Sequence, residues 1–136
     1  MEMLANILAV GCGGFIGAAL RYCLSTLTNL LARVTTGQES FAFPVATFGI
    51  NFLGCLAMGF LAFYLPHRFA SSTRLFLFAT TGVLGGFTTF STFCLDTYNL
   101  FLSAQYPLAV LNLVLSVGIC MAGLAAGVVL ARTVLG

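Results

Sequence analysis

Thr47 and Asn51 stand four residues apart, as do Thr88 and Thr92, Thr92 and Asp96, and Asn112 and Ser116, all within otherwise apolar runs. A spacing of four repeats one face of a helix, so each set forms a polar stripe. Polar groups in an apolar medium cost free energy unless they are paired. Two readings stand. The stripes join helices by hydrogen bonds, each worth about 0.6 to 2 kcal/mol, or they line a polar path, which three stripes on three different runs favour. Phe90 and Phe93 flank Ser91 and Thr92. Aromatic rings in such runs ordinarily pack, but their edges are electropositive. Beside hydroxyls and an amide they can replace part of a small anion's hydration shell, forming an anion filter without a full charge.

Arg21 is the basic residue well inside an apolar run, where insertion costs roughly 2.5 to 3.5 kcal/mol at a helix centre. It either snorkels to an interface or attracts anions into a vestibule. Asp96 lies toward the end of its run, thin support for proton coupling through a midplane carboxylate. Gly13 and Gly17, Gly82 and Gly86, and Gly123 and Gly127 are GxxxG pairs suited to close helix approach. Gly85 and Gly86 adjoin threonines mid-run, where a broken helix would free carbonyls toward an ion. The run from Gly11 to Gly17 lacks the strand and spacing of a dinucleotide loop. His67, beside Arg68, reads as a solvated loop histidine. Five cysteines, without a CxxC pair, read as small buried thiols.

The elements that must position these residues follow from composition. Of 136 residues, 60% are hydrophobic and 6% charged, with mean hydropathy +1.10, against roughly 25% charged in soluble domains. That excludes a soluble enzyme. Five basic residues, all arginine, make no patch for nucleic acid. Crossings of about 20 apolar residues are predicted over 3–32, 43–65, 75–102 and 107–131, giving an all-α membrane protein with four transmembrane helices, the third broken near its centre. No cleavable leader is expected. Arg33 to Ser40 is predicted as a solvated loop, Pro44 begins the second helix, Pro66 to Arg68 close it, and Ser71, Ser72 and Thr73 offer caps for the third. Four crossings place both termini and the Arg68–Arg74 loop on one side, opposite Arg33. So few charges do not decide orientation.

The run Gly85, Gly86, Phe87, Thr88, Thr89, Phe90, Ser91, Thr92, Phe93 resembles the signature of the CrcB/Fluc fluoride channels. Gly13 to Ala18 with Arg21 and Tyr22, and Asn51 with Gly54 and Gly59, resemble the same family, so the likeness covers nearly the whole chain. The resemblance implies a passive channel exporting fluoride from the cytoplasm across the bacterial inner membrane. It also implies an antiparallel dual-topology homodimer of oppositely inserted copies, with two pores and a structural sodium ion at the dimer centre. By motif position, Gly85 and Thr88 would give backbone carbonyls to the sodium. Asn51 would donate its amide to fluoride, Phe90 and Phe93 would present ring edges, and Ser91, Thr92 and Ser116 would continue the track. Arg21 would keep the vestibule electropositive. The sequence departs from the family at Cys94, Asp96 and Asn112, which bears on the pore entrance more than on the filter. Two rivals are a proton-coupled small multidrug exporter, which needs an embedded acid in the first helix, and a non-transporting tetraspan adaptor.

Overall fold

Long apolar runs satisfy their backbone N–H and C=O groups internally by coiling into helices. The computed structural model describes residues 1–38, 42–69 and 73–136, and these are all-helical. The elements are α1 (Glu2–Thr36), α2 (Val45–Arg68), α3 (Thr73–Leu77), a π-helical segment (Phe78–Leu84), α4 (Gly85–Phe87), α5 (Phe90–Leu102) and α6 (Tyr106–Leu135). Together they make four spans long and apolar enough to cross a membrane, the third running from Thr73 to Leu102. At 1.5 Å per residue α1 is about 52 Å long, well over the roughly 30 Å of hydrocarbon, so it tilts or projects.

Three boundaries differ from the sequence expectation. Arg33 to Thr36 stay helical rather than opening a loop, because the Thr35 and Thr36 hydroxyls donate to Leu31 O and Ala32 O, each at 2.8 Å. Gly37 ends α1 in the left-handed region (φ 71°), its N–H donating to Arg33 O at 3.0 Å. Pro66 does not close α2, which continues to Arg68. So near a helix end its missing N–H forfeits little, and Phe69 N still donates to Leu65 O at 2.8 Å. Pro44 precedes α2 as its N-cap instead of sitting within the first turn. The proposed caps Ser71 and Ser72, and Ser40, lie outside the described residues.

Packing is carried by small residues. α2 packs most extensively on α6, while α1 packs on the π-helical segment and α4. At Gly13 a Cβ would come within 2.5 Å of Phe78 O, and at Gly17 it would strike Val83 O. Large apolar side chains point outward instead, with Phe15, Leu20, Val114 and Val117 all exposed. This inversion suits lipid, where helices associate through close packing rather than hydrophobic burial. α5 packs against α6 and hangs the second half of the third span beside it.

Candidate functional site at the broken third span

The glycine pair does not itself break the helix: Gly85 remains right-handed helical (φ −64°, ψ −37°). The chain leaves helix three residues later, at Thr88 (φ −78°, ψ 156°) and Thr89 (φ −150°, ψ 111°). β-Branched residues tolerate extended backbone, and threonine adds a cap. Thr89 Oγ1 accepts from Thr92 N at 3.2 Å and so starts α5. Its hydroxyl also meets Thr92 Oγ1 at 2.9 Å and Ser91 Oγ at 3.3 Å.

Side chains from two other helices hold the break open. Asn51 Nδ2 donates to Thr89 O at 3.1 Å, and Thr89 N donates to Asn51 Oδ1 at 2.8 Å. Arg21 Nε donates to Gly86 O at 3.2 Å. In a continuous helix Gly85 O and Thr88 O would receive the N–H groups of Thr89 and Thr92. Those two N–H groups are engaged by Asn51 Oδ1 and Thr89 Oγ1 instead. The break therefore releases carbonyls from helical bonding, those of Gly85 and Thr88 among them, while Arg21 covers that of Gly86.

Two cavities flank α5's first turn. The first, about 320 Å³, is lined by Asn51, Thr88, Phe90, Phe93 and Ser116 between α2, the break and α6. The two rings are tilted at 44° with centroids 5.5 Å apart. Phe93 is buried at 6% exposure, whereas Phe90 is 75% exposed. The second cavity, about 720 Å³, is half polar, lined by Thr47, Thr92 and Asp96 together with Asn29, Asn99 and Gln105 and closed by apolar residues such as Phe43 and Leu100. There Thr47 Oγ1 donates to Asp96 Oδ2 at 2.6 Å.

The residues singled out from sequence thus divide. Asn51, Phe90, Phe93, Thr88 and Ser116 meet at the first cavity, and Thr92 borders the second. Ser91 is exposed and, like Arg21, lines neither of these two cavities. Ser116 Oγ donates to Asn112 Oδ1 at 3.1 Å, so its proton is already committed to the protein. His67 Nδ1 lies 2.7 Å from Phe63 O, and the His67 ring stacks on that of Phe63.

Residues 8–128 match the family described as CrcB-like protein, Camphor Resistance (CrcB). The chain belongs to the CrcB family. It is 47% identical over 134 residues to a protein of Ruminiclostridium cellulolyticum named fluoride-specific ion channel FluC, covering 98% of each chain. A protein of the same name from Roseobacter denitrificans is 45% identical over 129 residues, covering 95% of this chain and 97% of its own. One from Elusimicrobium minutum is 36% identical over 135 residues, covering 99% of this chain and all of its own. This CrcB chain is accordingly a multi-pass membrane protein, with its longest family motif lying across the break.

Sequence reasoning passed over two residues of this CrcB site. Thr89 is the hinge and cap, and its signal was its residue type, since threonine is a favoured N-cap ahead of a helix. Thr97 was hidden because it falls outside the stripe of Asp96. Its hydroxyl donates to Phe93 O at 2.8 Å and accepts from Asn112 Nδ2 at 2.8 Å. Asn112, 1% exposed, therefore ties α6 to the Phe93 turn.

Proposed function

We propose that the chain is a passive fluoride-selective channel that lets fluoride leave the cytoplasm across the bacterial plasma membrane. The carrying observation is the convergence, on one cavity at the break, of the Asn51 amide, the Phe90 and Phe93 rings and the start of α5. One Nδ2 proton of Asn51 goes to Thr89 O, which leaves the second for an anion. The first N–H groups of α5 have no acceptor within the helix, and its dipole makes that end positive. Ring edges add weak positive potential. These donors are neutral, so a small anion can exchange its hydration shell for them and still leave. A larger anion such as chloride fits the same narrow donor set poorly. Relatives named for fluoride support the choice of ion.

The pathway is completed, in this reading, by a second copy inserted in the opposite sense, which gives two pores. The high exposure of Phe90 supports a covering partner. A sodium ion between the copies fits the donor set at the break, where Gly85 and Thr88 would hold it through the two carbonyls that the helix has released. When bound, the ion would supply positive charge to these carbonyl oxygens. Arg21 supports the break from α1 through Gly86 O. Ser91 and Thr92 extend the hydroxyl track through Thr89.

The test is fluoride loss from proteoliposomes under a potassium ionophore, read with a fluoride electrode beside a chloride control. Rapid fluoride loss with little chloride loss is the expected result; well-folded protein that passes no fluoride would defeat the channel reading. Phe93→Ile keeps the bulk but removes the ring edge, and fluoride loss is expected to slow by roughly tenfold, the rate equivalent of about 1.4 kcal/mol. Sodium is tested by thermal denaturation of purified protein. An ion that binds only the folded state at 100 times its Kd adds about 2.7 kcal/mol. Replacing sodium with N-methylglucamine is therefore expected to lower the melting temperature, and an unchanged melt counts against the site.

The adaptor alternative draws on one observation, that the stripes are already paired within the chain, Thr47 with Asp96 and Asn112 with Thr97. It forecasts normal assembly and no flux in the same vesicles.

A further inference from the structure

Four sulfur-bearing side chains border the first cavity: Cys55 and Met58 from α2, and Cys120 and Met121 from α6. Cys55 and Cys120 border that one cavity from the two helices that pack most extensively on each other. Both thiols are free and half-buried, whereas Cys12, Cys23 and Cys94 are exposed. The two helices approach closely beside this cavity. A Cβ at Gly59 would strike Leu124 O, so the backbones touch one turn away from Cys55 and Cys120. A thiol pair with two thioethers beside it is a soft donor set, and thiolate and thioether sulfur select Cu(I) among biological cations.

We infer that Cys55 and Cys120 bind one Cu(I) ion between their sulfurs, with Met58 and Met121 as additional thioether donors. Binding breaks two S–H bonds and forms two Cu–S bonds, and both protons pass to water. Copper enters and remains as Cu(I), so no electron is transferred. The metal and two thiolates together carry one net negative charge, while the unmetallated thiols carry none. Fluoride is a hard ligand and does not compete for this soft site. A negative charge in the wall of a low-dielectric cavity repels an entering anion, so copper loading closes the fluoride path. This last step rests on the channel reading; the binding itself does not.

The test equilibrates purified protein anaerobically with Cu(I) against the chromogenic chelator bathocuproine disulfonate. Wild-type protein is expected to retain one Cu(I) per chain, with sulfur as the neighbouring scatterer in X-ray absorption. C55S/C120S is expected to lose it by more than an order of magnitude in affinity, and C12S/C23S/C94S to keep it. Circular dichroism and gel-filtration elution check that each variant folds, and the wild-type scattering shell stands if C55S/C120S does not. Equal retention by a folded C55S/C120S protein, or a shell of nitrogen and oxygen, overturns the site. In vesicles, Cu(I) is expected to slow wild-type fluoride loss; undiminished loss from copper-loaded protein overturns the closing step. Copper retention in protein that passes no fluoride even without copper refutes the channel reading and leaves the metal site standing.

Discussion

Asn51→Leu is expected to slow fluoride loss from proteoliposomes by roughly 10- to 100-fold, the rate equivalent of about 1.4 to 2.8 kcal/mol. The leucine removes both hydrogen bonds to Thr89, leaving its N–H and C=O without the side chain that holds them. A buried polar group that loses its partner costs about 1 to 3 kcal/mol. The loss falls on the two-residue extended segment, so the start of α5 and the Phe90 and Phe93 rings lose their fixed position against α2. The anion also loses the second Nδ2 proton. Asn51→Asp separates these effects: its carboxylate still accepts from Thr89 N but donates nothing and adds negative charge. It should pass fluoride no better than leucine while melting closer to wild type. Wild-type flux in Asn51→Leu would remove Asn51 from the pathway.

Gly127→Leu has the larger structural effect. A Cβ at this position would strike Leu56 O and lie 2.8 Å from Phe60 N, both backbone atoms that cannot rotate away. Overpacking typically costs about 1 to 3 kcal/mol, and more where backbones must part. Parting α2 from α6 dismantles the main helix contact and one wall of the first cavity together. Detergent extracts of the variant are expected to contain little monodisperse protein. Gly118→Leu on the same helix is the matched control, since nothing lies within 4 Å of its added Cβ. Equal yields from the two variants would show that the α2–α6 approach does not limit folding.

The four spans were legible because hydrocarbon length and apolar runs are properties of the chain alone. The helix ends were less so: Thr35 and Thr36 read as loop residues, but their hydroxyls return to carbonyls of the same helix. The stripes correctly marked Asn51 as facing another element, yet spacing carries no information about a partner 38 residues away. The same applies to Thr47 and Asp96, 49 residues apart, whose stripes gave faces but not the bond. The glycines drew attention to the right span and the wrong residues. A helix break is decided by which N–H groups find better acceptors, and that depends on Asn51 arriving from α2.

The π-helical segment Phe78–Leu84 sets the phase of everything that follows it. Each residue of an α-helix turns the chain by about 100°, and a π-turn accommodates one residue beyond the α-helical count. Regularising this segment into α-helix with its residue count unchanged would therefore swing Thr88 and Thr89 about a quarter-turn away from Asn51. Such a regularised chain would keep its hydropathy and its four crossings, and by helical regularity alone it would be the better-formed membrane protein. It would also be disarmed. The irregularity upstream is the clock setting by which the threonines meet the asparagine, so the wide turn in this stretch is as constrained as the identity of the residues it aligns.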